Sequence, residues 1–212
     1  MPEGMFRHGG PRTRRLSAYL ARRARTPRPQ RAALDQETSP SLVRRHAVVF
    51  TDTADFTRRT ARHGILHFLM VFDRVIAAAE PVLRRAGGEI VKVEGDSLLL
   101  RFHDVASACR GVDALEALLR SWNRGHPTDE HMRFSYGIGY GDVLELEADL
   151  FGLEVNLASK IGEDLARPGQ VLLTPAAAAA LDERTLRRVV LHRVVTFGRR
   201  AVPVQRLKPG RR

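Results

Sequence analysis

The order of apolar patterns after residue 43 limits what this chain can fold into more than any other feature of its sequence. The run HAVVFTD at 46–52 is apolar and rich in β-branched and aromatic residues, which predicts a buried strand. Apolar residues then recur at helical spacing from Ile65 to Leu83, and Gly87-Gly88 stops this pattern. The segments EIVKV and SLLLRF flank the turn EGD, which is typical of a β-hairpin.

The later segments continue this alternation. Asp104 is placed to cap a helix whose apolar stripe contains Cys109, a core position rather than a nucleophile. The segment MRFSYGIGYGDVLEL predicts a long strand, in which alternate glycines leave one face bare for another backbone. A helix (LEVNLASKIGEDLA), a strand (QVLLT), a short helix (PAAAAAL) and a closing hairpin follow. We therefore expect an α/β fold with an antiparallel-rich sheet.

The first 43 residues have a different composition from the rest. Residues 1–40 contribute +6 of the formal net charge of +11, and their few apolar residues lie among prolines and arginines. This composition predicts a basic, largely disordered extension at 1–43, with one short helix at most, followed by one folded domain over 44–208. A contact of the extension with an anionic membrane or a partner stays open. Specific nucleic-acid binding is not expected, because the folded part lacks the aromatic interleaving typical of single-strand binding.

The cysteine content, the apolar runs and the absence of known site motifs each exclude some classes of protein or site. The chain has one cysteine, which cannot form an intramolecular disulfide, and no apolar run approaches the length of a membrane span. These features predict a cytoplasmic protein. The sequence also contains no GxxxxGK[ST] loop, CxxC pair, HExxH helix or GxSxG elbow.

Two aspartates remain as candidate metal ligands. Asp52 follows the first apolar strand, and Asp96 lies at the tip of the predicted hairpin. Carboxylates placed at strand ends suit hard cations such as Mg²⁺, which prefer oxygen ligands and keep substrate phosphates as further ones. The residues alone leave open the alternative that both are ordinary turn aspartates.

Four motifs in register resemble the class III nucleotidyl cyclase catalytic domain, a family of adenylyl and guanylyl cyclases. They are VVFTDTADFT, GGEIVKVEGDSLLLRF, YGIGYGDV and DLFGLEVNLASK, and the resemblance spans residues 44–207. It implies a ferredoxin-like α/β fold with a mostly antiparallel sheet and helices packed against it. It also implies a head-to-tail homodimer with active sites at the interface.

The resemblance implies a role for the two aspartates. Asp52 and Asp96 match the residues that hold two divalent ions, Mg²⁺ or Mn²⁺, in such cyclases. These ions bind the triphosphate of ATP and activate the ribose 3′-hydroxyl for attack on the α-phosphate. The loop that contains Thr53, Phe56 and Thr57 matches the family's loop that wraps the phosphates.

The resemblance also implies which residues read the base and act in the transition state. Lys92 and Asp149 match the pair that selects adenine, while Asn156 matches the asparagine that orients the ribose. Lys160 stands where the family usually has an arginine on the phosphates. Adenylyl cyclase activity, converting ATP to cyclic AMP and pyrophosphate, is therefore the expected function.

Two departures favour an alternative, a weak or inactive cyclase-homology module that binds nucleotide or a signalling partner. Lys160 lacks the planar fork with which arginine grips two phosphate oxygens. Asp55 replaces a glycine of the phosphate loop, where its carboxylate would oppose a triphosphate. The other expectations for Asp55 are that it assists a metal or caps the following helix.

Overall fold

A mixed sheet forms the centre of the fold, and the computed structural model describes residues 9–208. Within this range the strands are β1 (Val43–Thr53), β2 (Gly88–Glu94), β3 (Ser97–Phe102), β4 (Phe134–Glu145), β5 (Leu150–Phe151), β6 (Val171–Leu173), β7 (Val189–Phe197) and β8 (Arg200–Leu207). The strand order is β2-β3-β1-β4-β6-β8-β7, and β5 pairs with β4. The β4–β6 pair is parallel and the others are antiparallel.

The helices lie on both faces of this sheet. They are α1 (Pro11–Arg25), α2 (Arg31–Leu42), α3 (Phe56–His63), α4 (Ile65–Arg85), α5 (Val105–Gly125), α6 (Leu153–Asp164), α7 (Pro175–Ala179) and α8 (Glu183–Leu186). The predicted α/β architecture, with its mostly antiparallel sheet, is confirmed. Across residues 9–208, no helix combines the length and the apolar character that a membrane crossing requires.

Alternation along β1 explains the two-layer core. Ala47 and Val49 join a cluster with residues of α4 and α5, while Val48 and Phe50 join a second cluster with residues of α6. Because successive strand residues point to opposite faces, β1 is buried on both sides. This double burial explains the continuous apolar run at 47–50 within β1.

A local signal fixes the start of α5 as predicted. The Asp104 carboxylate accepts a hydrogen bond from the Ser107 N–H at 2.7 Å, which caps α5. Cys109 on this helix is buried in the main core, and burial raises the pKa of its thiol to about 12. Cys109 is therefore a packing residue, as expected.

The glycines of β4 allow α6 to lie directly against the strand. A Cβ at Gly137 would be 2.0 Å from the Ala158 carbonyl oxygen, and one at Gly139 would be 2.4 Å from that of Glu154. Gly162 meets β4 from the helix side, where its own Cβ would be 2.9 Å from the Gly137 nitrogen. The backbone contact predicted from the alternating glycines is therefore with α6.

The prediction of disorder for residues 1–43 is wrong where the structure describes this segment. Residues 11–42 form α1, a short 3₁₀ turn and α2. Leu16 and Leu42 are buried together with Leu146, which comes from beyond β4. This apolar contact comes from a distant part of the chain. The composition of residues 1–43 alone therefore could not predict that these helices form. Residues 1–8 of the predicted extension lie outside the described range.

Ion pairs also join the two N-terminal helices. The Arg23 guanidinium donates to both carboxylate oxygens of Asp35, at 2.8 and 3.0 Å. The Tyr19 hydroxyl donates to the same carboxylate. The Asp35 carboxylate of α2 therefore binds both Tyr19 and Arg23 of α1.

Candidate active site

The two predicted metal carboxylates lie at the same end of neighbouring strands, where β1 ends and β3 begins. Asp52 is near the end of β1, where it pairs in register with Ser135, and Asp96 lies in the turn between β2 and β3. The Thr53 hydroxyl donates to the main-chain oxygen of Asp96 at 2.6 Å, and the Leu98 N–H donates to the Thr51 hydroxyl at 3.0 Å. Two threonines of β1 thus fix the hairpin turn beside the strand that carries Asp52.

The charge around Asp52 is unusually negative. Burial raises its pKa from 3.8 to about 6, and neighbouring carboxylates add to this rise. In decreasing order of effect these are Asp96, Glu163 and Asp164. The pKa of Asp96 is also raised by burial, although the N–H groups of Asp96 and Thr53 partly oppose the rise. Such half-buried carboxylates would be stabilised by a cation placed between them.

A divalent cation fits the chemistry of this donor set. Both carboxylates offer hard oxygen ligands, which Mg²⁺ and Mn²⁺ prefer. No group of three or more His, Cys, Asp or Glu side chains within residues 9–208 has the arrangement of a complete metal cage. Asp52 and Asp96 would therefore supply part of a coordination shell, with phosphate or water oxygens as further ligands.

The predicted base-reading pair is brought together by the fold. The Lys92 ammonium on β2 is 3.1 Å from the Asp149 carboxylate, which belongs to the segment between β4 and β5. The same ammonium is 3.0 Å from Glu94. Hydrogen bonding to Glu94 and then to Asp149 raises the pKa of Lys92, so the ammonium is charged at neutral pH. Glu94 was missed by the sequence analysis, although it belongs to the EGD turn.

Main-chain contacts hold Asp149 in place. Its own main-chain oxygen accepts from the Leu146 N–H at 2.9 Å, and its carboxylate accepts from the Leu150 N–H at 2.9 Å. One carboxylate oxygen thus orients the side chain while the other contacts Lys92. The Asp149 carboxylate is therefore fixed before any ligand binds.

Asn156 and Lys160 lie exposed on α6, four residues apart. Among the described residues, Asn156 has no side-chain hydrogen bond, and the Lys160 ammonium pairs with Asp164 on the same helix. The structure does not join either residue to Asp52 or to Lys92 within one chain. Glu163 and Asp164, at the end of α6, are the residues that act on Asp52 electrostatically, and the sequence analysis missed them.

The loop after β1 places Asp55 in an unexpected environment. Its backbone is left-handed, with φ of 65°, a conformation that glycine adopts without cost. Its carboxylate makes no cap hydrogen bond to α3, so the predicted cap is wrong. Instead one carboxylate oxygen is 2.9 Å from the Arg58 guanidinium and 3.0 Å from that of Arg133. Arginines therefore neutralise the charge that distinguishes this loop from the family pattern.

The neighbouring loop residues have different exposures. Thr53 is buried, and the Phe56 ring packs edge-on against Phe68 with centroids 4.8 Å apart. Thr57 is exposed in the first turn of α3. Because the side chains of Thr53 and Phe56 are engaged inside the fold, the donors that the loop can offer to phosphates are backbone N–H groups and the exposed Thr57 hydroxyl.

Comparisons with known proteins agree with this architecture. No protein-family model matches the chain. A relative named adenylate cyclase from Streptomyces coelicolor is 33% identical over 139 residues, covering 65% of this chain and 34% of the relative. Another adenylate cyclase, from Streptomyces griseus, is 30% identical over 176 residues, covering 81% of this chain and 41% of the relative. The chain thus spans well under half the length of these relatives.

A solved structure settles the fold. The crystal structure of an adenylate/guanylate cyclase/hydrolase from Silicibacter pomeroyi superposes with a TM-score of 0.66 at 23% identity, covering 79% of this chain and 98% of that one. The chain has the class III nucleotidyl cyclase fold. Together with the adenylate cyclase relatives, this superposition confirms the resemblance seen in the four motifs.

Proposed function

We propose that this chain is an adenylyl cyclase that converts ATP to 3′,5′-cyclic AMP and pyrophosphate. The observation that carries the proposal is the pair Asp52 and Asp96, two half-buried carboxylates at the same end of neighbouring strands with raised pKa values. The sequence relatives named adenylate cyclase support the same activity. We assign the catalytic unit to residues 44–208.

In the proposed reaction the ribose 3′-oxygen attacks the α-phosphorus. The bond from that phosphorus to the bridging oxygen of the β-phosphate breaks, pyrophosphate leaves, and the hydroxyl proton passes to solvent. When bound by Asp52 and Asp96, two Mg²⁺ or Mn²⁺ ions would neutralise the triphosphate and activate the 3′-hydroxyl. The backbone of the loop that contains Thr53, Phe56 and Thr57 would hold the phosphates.

Base selection is assigned to the pair joined in the structure. The Lys92 ammonium donates to adenine N1, and the Asp149 carboxylate accepts from the N6 amine. Guanine presents a donor and an acceptor in the opposite order on this edge, so ATP is the preferred substrate. Glu94 keeps the lysine charged and would compete with the base for it.

The exposed positions of Asn156 and Lys160 support a site shared between two chains. In a homodimer, α6 of one chain would bring Asn156 to the ribose and Lys160 to the phosphates held by the other chain. Lys160 must leave Asp164 to do so, and its single ammonium replaces a bidentate contact. The expected consequence is slower turnover rather than lost binding.

Cyclic nucleotide formation tests the proposal directly. Purified protein is incubated with ATP or GTP and with Mg²⁺ or Mn²⁺, and the products are separated by chromatography. We expect cyclic AMP from ATP, and its formation should require the divalent ion. Asp52→Ala and Asp96→Ala should each abolish turnover, while Asp73→Ala, at an exposed position of α4, should not. Activity that survives either of the first two changes would refute the metal assignment.

The alternative is a module that binds nucleotide without turning it over. The Lys160–Asp164 pair favours it, because the one cation of α6 that the family pattern places on the phosphates is already engaged. ATP binding without product in the same assay would support this alternative. Release of the lysine by Asp164→Asn would then be expected to restore some turnover if the pair is the cause.

A further inference from the structure

A cavity of about 440 Å³ lies between α3 and the segment that joins α5 to β4. We call it the arginine pocket. Its ionic lining consists of Arg58, Arg59, Arg62, Arg133, Asp55 and Asp129. Two imidazoles, of His63 and His131, also line it. Even with both imidazoles neutral, the arginines outnumber the carboxylates by two, so the pocket is electropositive.

The walls of the arginine pocket are fixed without a ligand. The Arg59 guanidinium donates to the main-chain oxygen of Asp129 at 2.8 Å and to that of His131. The His67 ring nitrogen lies 3.2 Å from the same Asp129 oxygen. Burial lowers the pKa of Arg59, which fits its structural position against the wall. These contacts join α3 and α4 to the opposite wall, so the cavity is preformed.

The other three arginines of the pocket have more N–H donors than nearby protein acceptors can satisfy. Arg58 and Arg133 share a single carboxylate oxygen of Asp55. Arg62 forms no ion pair or hydrogen bond with any residue in 9–208. Guanidinium groups offer several N–H donors each, and an anion with many oxygens satisfies them better than one carboxylate does.

We propose that the arginine pocket binds free inorganic pyrophosphate, with Asp55 as an internal counter-ion that the ligand displaces. Pyrophosphate carries terminal oxygens at both ends, so one molecule can contact Arg58 and Arg62 on α3 and Arg133 before β4. No side chain assigned to ATP or metal lines this pocket, and its contact with the proposed phosphate loop is through Ala54 and Asp55. Binding itself does not depend on the proposed function, whereas its use as an exit site for the reaction product does.

Occupation of the pocket would act on the neighbouring loop. Ala54 and Asp55 line the pocket and directly follow Asp52 and Thr53 along the chain. The Ala54 N–H also donates to the Arg133 main-chain oxygen at 2.9 Å. An anion that draws Arg133 and Arg58 away from Asp55 would therefore change the loop that leads from the metal carboxylates into α3.

Calorimetric titration with sodium pyrophosphate tests the proposal, in a chelator and without nucleotide. The wild-type protein should bind, and Arg62→Ala and Arg133→Ala should each weaken binding about tenfold, as expected for loss of a hydrogen bond to a charged group. Arg85→Ala is the matched control, since Arg85 is also an exposed arginine in the last turn of its helix. Asp55→Asn should strengthen binding, because it removes the counter-ion and keeps a residue that tolerates left-handed backbone.

Each outcome of the titration either supports or overturns the proposal. Absence of heat at millimolar pyrophosphate, or equal affinity of wild type and Arg62→Ala, overturns the proposal. Equal losses in Arg62→Ala and Arg85→Ala also overturn it, because they indicate general charge attraction. Circular dichroism of each variant shows that a loss is not due to unfolding, and Asp55→Asn should still show its gain. Pyrophosphate binding in the chelator, together with no cyclic nucleotide in the separate assay with ATP and divalent ion, would uphold the pocket while refuting the proposed activity.

Discussion

At Asp52, burial and neighbouring charge act in the same direction on one carboxylate. The folded chain holds it half-buried near three other acidic residues, and its pKa rises to about 6. Its negative charge at neutral pH is therefore costly to the folded state. A residue kept under such a cost is typical of a functional site rather than of a turn.

The first residue-scale prediction concerns stability. In metal-free solution at neutral pH, Asp52→Asn should raise the free energy of unfolding by about 1–2 kcal/mol, a value already discounted for solvent screening. A raised carboxyl pKa means that stability is lost as pH rises from 3.8 toward 6, so the gain should vanish below pH 3.8. Chemical unfolding across this pH range measures it.

Asp73→Asn serves as the control for this experiment. Asp73 is exposed on α4, so its neutralisation should leave the unfolding free energy almost unchanged. Mg²⁺ should raise the melting temperature of the wild type and not that of Asp52→Asn. A loss of stability in metal-free Asp52→Asn would contradict the electrostatic account of this site.

The sequence predicted some side chains better than others at this scale. Asp52 and Asp96 could be named because each lies at the end of a recognisable strand, whereas Lys92 and Asp149 could be named only from the resemblance to the cyclase family. The direction of the Asp55 side chain could not, since it depends on Arg133, which lies 78 residues away. Glu163 was missed for a similar reason, because its effect on Asp52 arises only after α6 packs against β1.

At the scale of elements, α1 is attached to the body of the protein by its first turn. The Arg12 and Thr13 N–H groups donate to the Glu147 carboxylate at 2.5 and 3.1 Å, and the Thr13 hydroxyl donates at 2.6 Å. Free N–H groups at a helix start favour a carboxylate partner. Glu147 lies two residues before Asp149, so α1 is joined to the segment that carries the proposed base-reading carboxylate.

Glu147→Gln should detach α1 from this segment. The change removes the negative charge that three donors share, so amide hydrogen exchange over residues 11–25 should become faster while exchange in β1 and β4 stays slow. The control is Glu183→Gln, which changes an exposed glutamate in α8. Unchanged exchange in α1 after Glu147→Gln would show that the Leu16 cluster alone holds the helix.

Acid should have the same effect as this substitution. The Thr13 hydroxyl, followed by the N–H donors, lowers the pKa of Glu147 from 4.5 to about 2. A lowered carboxyl pKa contributes stability above pH 4.5 that is lost as pH falls toward 2. In the wild type, the protection factors of α1, which correct for slower intrinsic exchange in acid, should therefore fall relative to those of β1 and β4 on acidification over this interval.

Periodicity predicted most elements from β1 onward, because each has a buried face that repeats with a period of two or of 3.6 residues. It failed for α1 and α2, because Leu16 and Leu42 are buried against Leu146 and the start of α1 is held by Glu147, both more than 100 residues away in sequence. Contact of the basic segment with an anionic membrane or partner stays a prediction.

At the scale of the whole molecule, each chain carries both halves of the proposed site. Asp52 and Asp96 lie at the same end of neighbouring strands, whereas Asn156 is exposed on α6 without a side-chain partner among the described residues. A symmetric pair of such chains would form two sites, each with one half from each subunit. The sequence could supply the residues of both halves, but only the fold shows that no hydrogen bond joins Asn156 to Asp52 or Asp96 within the described part of one chain.

Mixing variants tests the shared site. Asp52→Ala and Asn156→Ala should each be inactive alone, and an equal mixture should recover about a quarter of wild-type activity, since half of the dimers are mixed and one site in each is intact. Asp52→Ala mixed with Asp96→Ala is the control, because both sites of that mixed dimer carry a damaged metal set. If subunits exchange and the first mixture stays inactive, the site is not shared.

The contact between α6 and β4 also determines how this protein can vary. At Gly137 and Gly139 even one methyl group would overlap a main-chain oxygen of the helix, and Gly162 is confined from the opposite side. Relief would require the whole helix to move, together with Asn156 and Lys160. The backbone geometry therefore allows only glycine at these positions, whereas the exposed positions of α6 can accept many different side chains.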